Sequence, residues 1–146
     1  MSNLYTIGTL GTVPELRFSA SGTAWVTARV AVERRVKDKD NGEWKSETDW
    51  YNLKAFGTTA ENLAQSADKG QRLMIFGSLQ TETYQDKKTG EQRESQTIVA
   101  DDVGIDLRFV TATVQRSVAS QGRSNQQQSQ ASSVDRGYAN HSQEPF

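Results

Sequence analysis

The chain contains no cysteine. That excludes a disulfide framework and thiolate metal sites, and it fits a cytosolic protein. Its one histidine, His141, lies in a low-complexity stretch, so histidine-dependent acid–base or triad chemistry has no footing. No run of about 18 apolar residues could span a membrane. No apolar segment follows Met1-Ser2-Asn3, so a signal peptide is not expected. An excess of one charge is missing too: 17 basic residues stand against 18 acidic ones, for a net charge of −1 and a pI near 5.8. A polyanionic partner would meet no global attraction, only cations clustered locally. A phosphate-cradling loop is also lacking, because Gly8 and Gly11 lie in a strand pattern and precede no helix.

The acidic residues do not form a metal site either. Asp38, Asp40 and Asp49 lie near a glycine, but a calcium loop needs glycine at its sixth place. Counted from Asp38 that place is Glu43. Asp101 and Asp102 are adjacent, so on a strand they point to opposite sides. The sequence implies no catalytic residue, no metal and no cofactor.

What is present centres on Thr48–Phe56. Read with the period of a strand, Tyr51, Leu53 and Ala55 form an ordinary core face. The other face carries Trp50, Asn52, Lys54 and Phe56. Exposed aromatics make a sticky patch that soluble proteins avoid without a use for it. Two rings flanking an amide and a lysine suit unpaired bases, which stack on rings while an ammonium meets phosphate. A strand buried on both sides, or one paired with a partner subunit, is the plainer alternative.

The rest of the body is read in order. Leu4–Val13 is a bent strand ending at Pro14, and Pro14–Phe18 continues extended. Trp25–Val36 alternates, with Val26, Ala28, Val30 and Val32 on one side and Thr27, Arg29, Ala31 and Glu33 on the other. Asn41-Gly42 predicts a hairpin into the organising strand. Thr58 and Glu61 match a capping box, followed by a helix face of Ala60, Leu63, Ala64 and Ala67 and by Gly70 as its C-terminal cap. Arg72–Gln80 returns to strand, Tyr84–Gln96 folds as a second hairpin around Asp86–Gly90, and Thr97–Val103 is a further strand. Ile105, Leu107 and Phe109 continue an apolar alternation to Val114. Three strands, a helix and two strands is the order of the OB-fold, a five-stranded Greek-key barrel.

From Gln115 the composition changes. Residues 115–146 hold seven glutamines and seven serines with few apolar groups, so this segment is expected to be disordered. It carries three arginines against Asp135 and Glu144, which leaves the body mildly acidic, with fourteen basic and sixteen acidic residues. The division expected is a folded body at 1–114 and a tail at 115–146.

Several stretches resemble bacterial single-stranded DNA-binding proteins: Ile7–Ala24, Lys37–Trp50, Phe56–Ala64 and Lys69–Thr81. Together, and in order, they span nearly all of residues 1–105. The segment Asp101–Val114 resembles an extra C-terminal strand of the actinobacterial branch, which clasps a neighbouring subunit. The resemblance implies an all-β OB-fold homotetramer that wraps single-stranded DNA in replication, repair and recombination. It places Trp50, Phe56 and Tyr84 on three stacking positions, while Val36 on the fourth cannot stack. Lys37, Lys39, Lys45, Lys69 and Arg93 fall on basic positions, and Lys54 adds a cation from the aromatic face. On a regular strand only one of Arg34 and Arg35 lines the path. If Val36 faces it, parity favours Arg34, though a bulge between the two would reverse the choice. Gln80 and Glu82 replace charges usual on the strand before Tyr84, which implies weaker, less salt-sensitive binding. The terminal Glu144, Pro145 and Phe146 match an end that docks replication and repair proteins, with only one acid of the usual cluster. Trp25 and Trp44 have no assigned role, and Trp25, alternating opposite the Val26 face, fits a subunit contact rather than a base platform. An RNA-preferring OB-fold, a primosome-type adaptor and a structural oligomer with Trp50 in its interface remain open alternatives.

Overall fold

A computed structural model describes residues Ser2–Ser117 of the chain. In order these form β1 (Ser2–Leu10), β2 (Glu15–Phe18), β3 (Ala24–Lys37), β4 (Trp44–Phe56), α1 (Gly57–Ser66), β5 (Arg72–Gln85) and β6 (Gln92–Ile105). The strands run β1-β5-β6-β4-β3-β2 across the sheet, and a second pairing of β1 with β3 closes it into a barrel. All neighbours are antiparallel except β4 and β6. This is the OB-fold expected from the element order. The additional strand is β2, which follows the bend after β1 and pairs with β3.

Alternation explains the interior. Val26, Ala28 and Val30 of β3 face Ala55, Leu53 and Tyr51 of β4 across the ladder. The valines, Ala28, Leu53 and Ala55 are buried with Leu10, Leu73, Ile75, Ile98 and Ala100. Helix α1 closes one end of this core through Ala60 and Leu63, joined by Ala67 just beyond it. The inward and outward faces read from the sequence are therefore the faces the barrel uses.

Both helix caps differ from expectation. The helix begins at Gly57, its N-cap is Phe56, and no side chain caps it. An N-cap residue needs extended backbone. Here that residue is the last of β4, which runs directly into the helix, so Thr58 is already inside the first turn and the Thr58–Glu61 capping box does not form. At the other end the C-cap is Ala67, in extended conformation. Gly70 instead turns the chain back toward β5 with φ of 90°, and its N–H donates to the Leu10 carbonyl at 2.8 Å.

Two hairpins extend past the barrel. β3 and β4 stay paired out to Lys37 opposite Trp44, and β5 and β6 out to Gln85 opposite Gln92. Asn41-Gly42 lies in the first connection, which spans residues 38–43 and is closed by Asp38 N–H donating to the Glu43 carbonyl at 2.7 Å. After Ile105 the Asp106 N–H bonds the Arg72 carbonyl at 3.1 Å, and residues 106–117 join no ladder. The chain divides into a unit at Met1–Ala112 and another at Thr113–Phe146. Glu144, Pro145 and Phe146 lie outside the described residues.

Candidate nucleic-acid interface

The outward face of β4 carries Trp44, Trp50, Asn52, Lys54 and Phe56, set by strand parity from the buried Leu53 and Ala55. Trp50 and Phe56 each leave about half of their surface open, at 51%. The two rings are six residues apart along the strand, or about 20 Å. Trp50 packs over Gly11, where a β-carbon would run into the ring. Glycine at that position is what lets the indole lie down on the barrel.

Neighbouring strands complete this surface. Arg29 of β3 stands opposite Asn52 and donates to its Oδ1 at 2.9 Å, while its guanidinium lies 5.7 Å from the Trp50 ring centroid. Asn52 Nδ2 donates to Ser95 Oγ of β6 at 2.8 Å. One amide thus ties three strands together beneath the rings. Lys54 sits opposite Thr27, between Asn52 and Phe56. Arg29 was not singled out among the sequence candidates. Its place on the outward side of β3 was visible, but its contact with Trp50 depends on cross-strand register.

The other expected residues fall into groups. Tyr84, 49% exposed, stands opposite Arg93 on the β5–β6 hairpin, and Arg93 is paired with Asp86 at 3.2 Å. Lys37 stands opposite Trp44, on the outward face, and Lys39 lies in the connection beyond. Lys69 lies in the turn that Gly70 anchors to Leu10, the residue before Gly11.

Arg34 is placed differently. The β3–β4 ladder runs without a bulge, so Arg34 and Val36 share the face opposite Trp50, together with Lys45 and Glu47. Arg34 Nε donates to Asp49 Oδ2 at 2.8 Å and Nη2 to Glu47 Oε2 at 2.9 Å. Its hydrogen bond to Asp49 raises its pKa, and the same bond holds the Asp49 carboxyl below the usual carboxylate range. Lys45 Nζ is 4.0 Å from Glu47 Oε1. Arg35, by contrast, projects on the Trp50 side, opposite Ser46, with no ion pair among the described residues. Arg34 shares its face with Val36, as parity requires, and that face lies on the other side of the ladder from Trp50.

Among the described residues no group of three His, Cys, Asp or Glu converges as a metal site, and no helix is long and apolar enough to cross a membrane.

Residues 1–106 match the single-strand binding protein family. The chain belongs to that family, whose members are binding proteins rather than enzymes. It is 35% identical over 117 residues to a single-stranded DNA-binding protein of Mycobacterium leprae, covering 80% of this chain and 69% of that one. It is 37% identical over 111 residues to one from Paenarthrobacter aurescens, covering 75% of this chain and 64% of the relative. In three dimensions it is similar to a small single-stranded DNA-binding protein of Streptomyces coelicolor, with a TM-score of 0.61, 29% identity, and coverage of 73% of this chain and 94% of that one. A Plasmodium falciparum protein solved with single-stranded DNA shares the fold, with a TM-score of 0.62 at 21% identity over 72% of this chain and 94% of that one.

Proposed function

We propose that the chain binds single-stranded DNA without sequence preference and protects it during replication, repair and recombination. The observation that carries this reading is the outward row Trp50, Asn52, Lys54 and Phe56 on β4, with its rings half open and its cation between them. Bases stack on Trp50, Phe56 and Tyr84, each contact being worth about 1–3 kcal/mol. Lys54, Lys37, Lys39, Lys45, Lys69 and Arg93 meet phosphate, joined by Arg29 and Arg35 on the aromatic side. Arg34 is already balanced by two carboxylates, so it orders the hairpin and adds little attraction for DNA.

The body at 1–114 carries this activity, and the segment at 115–146 presents Glu144, Pro145 and Phe146 to replication and repair proteins in the cytoplasm. The protein works as a homotetramer. A second exposed surface supports self-association: on the outward side of β1 and β5, Tyr5 stands opposite Phe76 and Ile7 opposite Met74. Tyr5 is 59% exposed and Phe76 44%, an apolar patch away from the β3–β4 rings.

Tryptophan fluorescence during titration with poly-dT, at low and high salt, tests the reading. The expected result is quenching that saturates at a fixed ratio of nucleotide to subunit, with weaker binding of poly-U of equal length. Folded protein whose emission never changes would place the rings in an interface and overturn the assignment.

A further inference from the structure

Of the three tryptophans only Trp50 has a role so far, and Trp25 has the more telling surroundings of the other two. Trp25 lies on the outward side of β3, where the core makes no use of it: Ala24 and Val26 on either side are the residues that point inward. The register sets it directly opposite Phe56 on β4, and Arg17 of β2 directly opposite it on the other side. Opposed side chains in an antiparallel ladder have β-carbons about 4.5–5.5 Å apart. Trp25 and Phe56 therefore form one contiguous aromatic surface. The guanidinium of Arg17 lies 5.5 Å from the Trp25 ring centroid and is tethered by Glu15 at 2.7 Å. The next pair along the ladder is Thr27 and Lys54. Two rings are thus flanked by a cation on each side, the composition already seen around Trp50.

We propose that Trp25 is a base-stacking residue: with Phe56 it makes a two-ring platform, bordered on the β2 side by Arg17, which Glu15 holds beside the Trp25 ring. Single-stranded DNA running along β4 from Trp50 reaches Phe56 and continues across Trp25 toward β2. The inference rests on the DNA-binding reading above and extends the path by one subsite. It also supplies aromatic area that the hairpin lacks at Val36.

The chain has three tryptophans, so a variant carrying Trp44→Phe and Trp50→Phe reports on Trp25 alone. Its emission and the anisotropy of dye-labelled poly-dT are followed in one titration. Trp25 quenching that rises and saturates together with the anisotropy supports the subsite. An anisotropy rise with unchanged Trp25 emission overturns it while leaving the DNA-binding reading intact. Emission that shifts on dilution of the protein but not with DNA overturns it as well, by placing Trp25 in a subunit contact. In the otherwise native chain, Trp25→Leu is expected to weaken poly-dT binding at least fivefold, the low end of one lost stacking contact, with Trp25→Phe keeping most of the affinity and both variants keeping the native circular dichroism. A Trp25→Leu chain that binds like the native one overturns the inference, and a native chain that binds no poly-dT overturns it together with the function proposed above.

Discussion

On one side of the β3–β4 ladder stand Trp25, Arg29, Trp44, Trp50 and Phe56; on the other, toward the hairpin tip, stand Arg34, Lys45, Glu47 and Asp49. The two sides share one backbone, one register and comparable exposure. They differ in whether charge is already satisfied. Arg34 has two carboxylates within 3 Å, so a phosphate arriving there must displace protein partners. Arg29 instead rests on the Trp50 ring, and Arg35 and Lys54 make no ion pair among the described residues. With a net charge of only −1 overall, this local difference decides where a polyanion can settle. Exposed ion pairs stabilise a fold little, so Arg34 with Glu47 and Asp49 is a cluster that DNA binding does not need.

The comparison can be broken at its foundation. Leu53 alternates with Lys54 and is fully buried in the core beneath the rings. Leu53→Ala should lower the free energy of unfolding by about 2–5 kcal/mol, measured by urea titration. The protein still folded should bind poly-dT nearly as before, because the outward face is untouched. Lys54→Ala should have a smaller effect and leave stability nearly unchanged. It should reduce the magnitude of the slope of log affinity against log salt by about 0.7, one phosphate contact on a single strand. Glu82→Lys should move that slope the other way, since Glu82 lies two residues before Tyr84 on the same side of β5.

The smallest effect belongs to the paired face. The folded-state pKa of Asp49 is lowered by Arg34, so the pair contributes stability above the unfolded carboxylate value of about 3.9. That contribution fades as pH falls through the lowered folded value. Asp49→Asn should therefore be slightly less stable than the native chain at neutral pH and indistinguishable from it in strong acid, as thermal melts across that range would show. Its affinity for poly-dT should not fall, because the change frees a cation.

How much of this was legible in the sequence follows from periodicity. Period two fixed every face correctly, because Leu53 and Val30 point inward whatever their partners are. Partners were another matter. A two-residue turn at Asn41-Gly42 would pair Asp40 with Glu43 and leave Trp25 opposite Thr58. The actual connection, residues 38–43, moves each pair by two places. A shift of two preserves faces and changes neighbours, which is why the Trp25–Phe56 and Arg29–Asn52 pairs could not be read from the chain. Arg34 and Val36 share the parity of the inward-pointing Val26 and Val30, so their place on the side away from Trp50 follows from the same alternation. The missed helix caps reflect tertiary override, since β4 runs into α1 with no residue between to serve as a side-chain cap.

The most direct measurement sets the two sides against each other: anisotropy titrations of dye-labelled poly-dT with Trp50→Ala and Arg34→Ala, both checked for native circular dichroism. The account predicts that Trp50→Ala loses about 1–3 kcal/mol, a factor of roughly 5 to 150, while Arg34→Ala stays close to native. Trp50→Ala binding as tightly as the native chain, or Arg34→Ala losing as much as Trp50→Ala, would contradict it.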